Sequence, residues 1–265
     1  MNDTIVSDSF IPTLGGQLFV RQWQPEKTTP LTPIILLHDS LGSVELWRDF
    51  PLKLSVATGR IVIAYDRLGF GRSSAHPGLL QADFIKDEGR TALASVRESL
   101  NIGPMILLGH SVGGGMALSA GATYGEEVAG IITLAAQAFV EDRTVAGITE
   151  AKTNFANPDQ VARLARYHGD KARWVLDAWI ETWLAPSFAD WTLDDDLRQL
   201  RSPVLAIHGE NDEFGSKAHP ERIAARSASR VQAEMIAGGG HMPHKDHTDQ
   251  VLDLVVTFLK SNAIA

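Results

Sequence analysis

Met105-Ile106-Leu107-Leu108-Gly109-His110-Ser111-Val112-Gly113-Gly114 sets a serine between glycines directly after an apolar run. A serine hydroxyl is a weak nucleophile unless a tight strand-to-helix turn lifts it clear of the backbone beside a base, and glycines on either side relieve the crowding of such a turn. The pattern Gly109-x-Ser111-x-Gly113 carries little weight alone in a chain with 23 glycines. Its flanks carry more. Met105 to Leu108 reads as a short buried strand, and Met116-Ala117-Leu118-Ser119-Ala120 as the helix that follows it.

A serine activated in this way needs a base and a group that orients the base. Val204 to His208 reads as a later strand, and Asp212 stands three residues past the turn glycine Gly209. Another short strand leads to Gly238-Gly239-Gly240-His241, where the glycines free a loop to carry an imidazole across the sheet edge. Serine, aspartate and histidine thus come in the chain order Ser111, Asp212, His241. Glu210 and Glu213 compete with Asp212, as do Glu141 and Asp142 after an earlier strand; the G-x-x-D spacing favours Asp212. His244 and His247 compete with His241 and read as solvated or capping residues at the start of the last helix. His38 and His110 flank the site and read as loop residues bonded to backbone, and His76, His168, His208 and His219 as structural or surface residues.

Short apolar runs recur between helical stretches at residues 33–38, 61–65, 104–108, 130–135, 204–208 and 231–236. Runs of this kind predict parallel strands buried on both faces, and their alternation with helices predicts a doubly wound α/β sheet. Ahead of them, Phe10 to Leu14 and Gln17 to Trp23, joined through Gly15-Gly16, predict an antiparallel hairpin. Residues 82–102 read as a helix with Ala92, Leu93, Val96 and Leu100 on one face, and the last helix aligns Leu252, Val255, Val256 and Leu259. Between Gln137 and Arg201 the pattern is helical throughout, which predicts a helical cap over residues 138–197 inserted into a core of residues 1–137 and 198–265. Asn157-Pro158 opens one cap helix, and Asp170 is expected to cap another that bears Ala172, Val175, Leu176, Trp179 and Trp183. Phe139, Trp179 and Trp183 are candidate substrate-binding residues, although aromatic side chains at helical spacing more often pack a lid onto its base.

At 265 residues, with 44% hydrophobic and 21% charged side chains, the composition is that of an ordinary globular protein. A formal charge of -8 and the lack of a basic block argue against nucleic acid or an anionic membrane as partner. The chain has no cysteine, which excludes disulfides, thiolate metal sites and a cysteine nucleophile. No basic segment followed by an apolar one stands at the N-terminus, and residues 254–259 are too short an apolar run to span a bilayer, so a soluble, cytoplasmic protein is expected. Gly69 and Gly71 fail as a dinucleotide fingerprint because Ser74 takes the third glycine's place, and no lysine at P-loop spacing accompanies Gly113-Gly114-Gly115. His241, His244, Asp246 and His247 form a cluster with some likeness to a metal site, but without H-E-x-x-H spacing; no metal is expected.

With these parts in place the chain resembles the α/β-hydrolase superfamily, in particular its small capped esterases, lactonases and carbon-carbon bond hydrolases. Beyond the serine, aspartate and histidine, Leu36-Leu37-His38-Asp39-Ser40-Leu41-Gly42-Ser43 resembles the family's oxyanion segment, and Asp66-Arg67-Leu68-Gly69-Phe70-Gly71-Arg72-Ser73 its turn after the fourth strand. The resemblance implies that Ser111 is the nucleophile, His241 the base and Asp212 its orienting acid, with the backbone N–H groups of Ser40 and Val112 holding the oxyanion. It implies an ester, lactone or similar small-molecule substrate and no cofactor, and it leaves the oligomeric state open. A carbon-carbon bond hydrolase, lyase or perhydrolase on the same residues, or a ligand receptor on the same scaffold, are the alternatives. Asp39 departs from the family pattern, which has glycine there; its carboxylate is expected to turn away from Ser111 and bond loop or turn amides. Arg67, Arg143 and Lys152 are candidates for recognising a substrate carboxylate.

Overall fold

The computed structural model describes residues 4–26 and 30–265. Eight strands, β1 (Thr4–Thr13), β2 (Gly16–Pro25), β3 (Ile34–Leu37), β4 (Val62–Tyr65), β5 (Met105–His110), β6 (Val128–Leu134), β7 (Val204–Gly209) and β8 (Val231–Ile236), form one sheet in the order β1-β2-β4-β3-β5-β6-β7-β8. β1 pairs antiparallel with β2, and β2 antiparallel with β4; every later pairing is parallel. The hairpin is longer than the apolar pattern predicts, because β1 extends back to Thr4 through residues that face solvent and show no alternation to read.

Period-two alternation divides each central strand between two cores. Ile34 and Leu36 of β3 face one cluster, with Phe50 and Leu54 of α1 (Phe50–Thr58) and Val251, Val255 and Phe258 of the last helix. Ile35 and Leu37 face the other, with Ile85 of α2 (Phe84–Arg90), Leu93 and Val96 of α3 (Ala92–Ser99), and Met116 and Leu118 of α4 (Val112–Tyr124). Residues 82–102 are therefore two helices, not one. The break falls at Thr91 (φ -116, ψ -84), whose hydroxyl donates back to the Asp87 carbonyl. β8 also departs from expectation: as an edge strand it exposes Ala233 and Met235 instead of burying both faces.

Between β6 and β7 the chain forms α5 (Asp142–Asn154), α6 (Pro158–His168), α7 (Ala172–Trp183) and the short α8 (Asp194–Leu197). Asn157 caps α6 by accepting from the Asp159 amide. Asp170 does not cap α7; it lies within a 3-10 turn, and Lys171 takes the cap position without a side-chain bond. After β7 come α9 (Ala218–Arg226), α10 (Pro243–Asp246) and α11 (Thr248–Ser261). The segment between β6 and β7 is fastened to the turn after β4 by polar bonds. Lys171 Nζ donates to the carbonyls of Gly71 (2.8 Å) and Ser73 (2.6 Å), and His168 accepts from the Gly71 amide at Nδ1 (2.8 Å) while its Nε2 donates to the Leu41 carbonyl (3.0 Å).

Candidate active site

Ser111 sits at the elbow between β5 and α4 with φ 56 and ψ -125, a conformation that non-glycine residues rarely adopt. The turn is tight because a Cβ on Gly109 would strike the Gly113 carbonyl, and one on Gly113 would strike the Leu37 carbonyl of β3. The two glycines let strand, elbow and helix close on one another, and the strain they permit holds the hydroxyl above the sheet.

The structure brings Ser111, His241 and Asp212 together. His241 Nε2 lies 3.0 Å from Ser111 Oγ, and its Nδ1 lies 2.9 Å from both carboxylate oxygens of Asp212. A ring nitrogen facing only carboxylate oxygens carries the proton, so in the neutral ring Nε2 is left as the acceptor for the serine. Asp212 also accepts from the amides of Phe214 (2.8 Å) and Gly215 (3.1 Å). His208 Nε2 stands 3.0 Å from its second oxygen while donating to the Gly215 carbonyl at 3.2 Å. Burial opposes the charge on Asp212, but His208 and His241 outweigh it and hold the carboxyl well below the usual carboxylate range.

The competing acids have other tasks. Glu210 accepts from the Gly238 amide and Glu213 from the His241 amide, so both support the loop that carries the imidazole. Glu141 accepts from the amide and hydroxyl of Ser216 and lies 3.0 Å from His219 Nε2. His244 is neither solvated nor a cap. It is buried against Trp47, Phe50 and His110, with the His110 ring centroid at 4.6 Å, and burial holds it well below the ordinary imidazole value. His110 bonds the His241 carbonyl at 2.8 Å, and His38 Nε2 accepts from the Arg67 amide at 3.1 Å.

The loop after β3 brings Ser40 to the same cavity as Ser111. Among the described residues, neither the Ser40 amide nor the Val112 amide at the start of α4 donates to a protein acceptor. Asp39 bonds no loop amide through its side chain. Its Oδ1 lies 3.9 Å from His110 Nδ1, and although burial disfavours its charge, His110, His38 and Lys245 together hold it well below the usual carboxylate range. The amide-bonding role belongs instead to Asp66, which accepts from Val44 (2.6 Å) and Arg72 (2.7 Å) and so ties the two loops together.

A cavity of about 360 Å³ opens above Ser111 and His241, walled by Ile148, Phe155, Leu164, Trp179, Trp183 and Phe214. Trp179 and Trp183 therefore line it. Phe139 does not: it packs on His219 (4.7 Å between centroids) and beneath the Arg222 guanidinium (4.9 Å), on the side of its bridge to Thr192. Arg67, Arg143 and Lys152 are likewise engaged elsewhere, with the Asp39 carbonyl, the Asp212 carbonyl and Glu181 respectively. The cations that border the cavity are Arg163 and Lys245. Sequence reasoning passed over Gln137, which lines the cavity with its Oε1 3.1 Å from Ser111 Oγ, because it lies in no recognisable motif. Among the described residues no group of three or more His, Asp or Glu is placed to hold a metal ion, and no helix is long and apolar enough to cross a membrane.

Residues 32–181 match the family described as alpha/beta hydrolase fold. The chain belongs to the α/β-hydrolase family. It is 39% identical over 102 residues to the (lyso)-N-acylphosphatidylethanolamine lipase of Bos taurus, a match covering 38% of this chain and 29% of that protein, so it spans less than a third of that relative's length. Along nearly its whole length it is similar to the proline iminopeptidase of Lactobacillus helveticus, at 24% identity over 94% of this chain and 96% of the relative. Among solved structures, the proline iminopeptidase of Mycobacterium smegmatis superposes with a TM-score of 0.72 at 22% identity, covering 97% of this chain and 98% of that one. A thermophilic esterase from Thermogutta terrifontis superposes with a TM-score of 0.71 at 20% identity, covering 97% and 99%. At these identities the superpositions speak to fold.

Proposed function

We propose that this protein is a serine hydrolase that cleaves a small ester, lactone or related activated carbonyl through an acyl-enzyme on Ser111. The observation that carries the reading is the continuous contact from Asp212 through His241 to Ser111 Oγ at hydrogen-bond distances. His241 Nε2 takes the serine proton as Oγ attacks the carbonyl carbon, and the charge that develops on the carbonyl oxygen is met by the amides of Ser40 and Val112. The imidazolium, held in line by Asp212, returns the proton to the leaving group. Water activated by His241 then releases the acid. Loss of one oxyanion donor typically costs about 3 kcal/mol of transition-state stabilisation, so the loop after β3 contributes to the rate alongside the hydrogen-bonded residues.

The largely apolar cavity under the cap supports a small, partly apolar substrate. The iminopeptidase relatives raise a second reading, since such an enzyme must hold a free substrate amine. Asp39 is the one carboxylate bordering the cavity among the described residues, and it faces His110; this favours an ester over an aminoacyl substrate. Turnover of p-nitrophenyl butyrate, a γ-lactone and prolyl p-nitroanilide separates the two. Hydrolysis of the esters is expected, with Ser111→Ala losing about 10⁴-fold or more in kcat at an unchanged unfolding midpoint. Undiminished turnover in Ser111→Ala would remove the nucleophile, and a preference for the anilide would replace the ester reading.

A further inference from the structure

We infer that Gln137 is a further residue of the reacting centre and that its amide nitrogen selects acyl groups bearing an acceptor oxygen next to the reacting carbonyl. The inference rests on the serine-hydrolase reading and names the substrate class of that same site. Gln137 leaves the end of β6 after a sharp turn, with Ala135 at φ 51 and Ala136 packed against Gly114. The residue is 4% exposed, and its Oε1 lies 3.1 Å from Ser111 Oγ, a second acceptor for the hydroxyl beside His241 Nε2. One end of the amide thereby faces the serine. The other, Nε2, has no acceptor among the described residues, although Gln137 lines the cavity. Thr144, the hydroxyl nearest in chain along the same wall, turns its proton to the Phe214 carbonyl at 2.7 Å, and among the described residues no bond joins its oxygen to Nε2. An amide N–H that faces the cavity with no protein partner is matched by a ligand oxygen placed beside it.

The order of strands says which part of the substrate meets this donor. β3 and β6 are the two neighbours of β5, so the loop holding Ser40 and the segment holding Gln137 flank Ser111 from opposite sides. The carbonyl oxygen turns toward Ser40 and Val112, and the leaving group must lie near His241 to collect its proton. The acyl arm is the remaining substituent, and it passes Gln137 toward Thr144, Ile148 and Ala151 on α5. Nε2 is separated from Oε1 by only the amide carbon, so the oxygen it can reach lies on the α or β position of the acyl group. Esters or lactones of hydroxy, oxo or alkoxy acids fit; plain alkanoates leave the donor unpaired.

The test compares p-nitrophenyl methoxyacetate with p-nitrophenyl butyrate, acyl groups of the same length in which an ether oxygen replaces one methylene. Wild type, Gln137→Met and Gln137→Glu are assayed with both, so that intrinsic ester reactivity, and any effect of Gln137 on the serine common to both substrates, cancels in the ratio of kcat/KM values. The methoxyacetate-to-butyrate ratio is expected to fall about tenfold in Gln137→Met, mainly through KM. Gln137→Glu keeps an acceptor beside Ser111 but lacks the donor, and the same fall is expected there. A ratio unchanged in the variants overturns the role of Gln137 while leaving the hydrolase intact. Absence of turnover of either ester by the wild type overturns the serine-hydrolase reading itself.

Discussion

His219 shows how strongly single side chains are set by their surroundings. It is fully buried, it accepts the Ala138 amide at Nδ1 (3.1 Å), and its Nε2 approaches Glu141 off the line of a good hydrogen bond. Burial is the largest influence and lowers it to about 4. A histidine lowered in the native state takes up its proton first in the unfolded chain, so stability is full above the ordinary imidazole value of about 6.5 and declines as pH falls from there toward 4. His38, His168 and His244 are lowered by burial in the same sense and steepen the decline. Urea unfolding at pH 7, 6 and 5 should show stability falling, and His219→Gln should lose less between pH 7 and 5 than the wild type; an equal or greater loss in the variant would contradict the assignment. At this scale the sequence was informative where chemistry imposes spacing. Ser111, Asp212 and His241 stood out because a turn glycine or glycine run precedes each, whereas Gln137 and His208 have no such marker. Phe139 was placed wrongly because an aromatic side chain after a strand does not declare which way the chain turns next.

The α6–α7 corner is held to the turn after β4 by charge and hydrogen bonds as well as by apolar packing. Lys171 satisfies two carbonyls of the turn after β4, and His168 bridges that turn to the loop bearing Ser40. Lys171→Ala should leave the Gly71 and Ser73 carbonyls without their donor, at a cost of about 1–3 kcal/mol. Limited proteolysis should then cut within residues 142–197 at protease levels that spare the wild type; equal resistance would show that packing alone holds these helices. Helix positions were largely legible from periodicity, and Asn157-Pro158 marked the start of α6 through its side-chain bond. The single helix expected over residues 82–102 and the cap expected at Asp170 fail for a common reason. Neither the back-bond that breaks a helix nor the 3-10 turn that displaces a cap changes the apolar pattern.

For the whole molecule, alternating apolar runs and helices sufficed to predict a mostly parallel sheet with a leading hairpin, because strands buried on both faces need covering layers on each side. Strand order and the exposed face of β8 were not legible, since both depend on crossovers that leave no local trace. The cavity was out of reach for the same reason: it is built from side chains as distant in sequence as Leu46, Phe155 and Met242. The central claim is that this assembly makes one alcohol oxygen, that of Ser111, nucleophilic. Intact-mass and peptide mapping after treatment with a fluorophosphonate measures it most directly. A single phosphonyl adduct on the peptide containing Ser111 is expected, absent in Ser111→Ala and formed far more slowly in His241→Ala. An adduct elsewhere, or none, or equal labelling in the His241 variant, would contradict it.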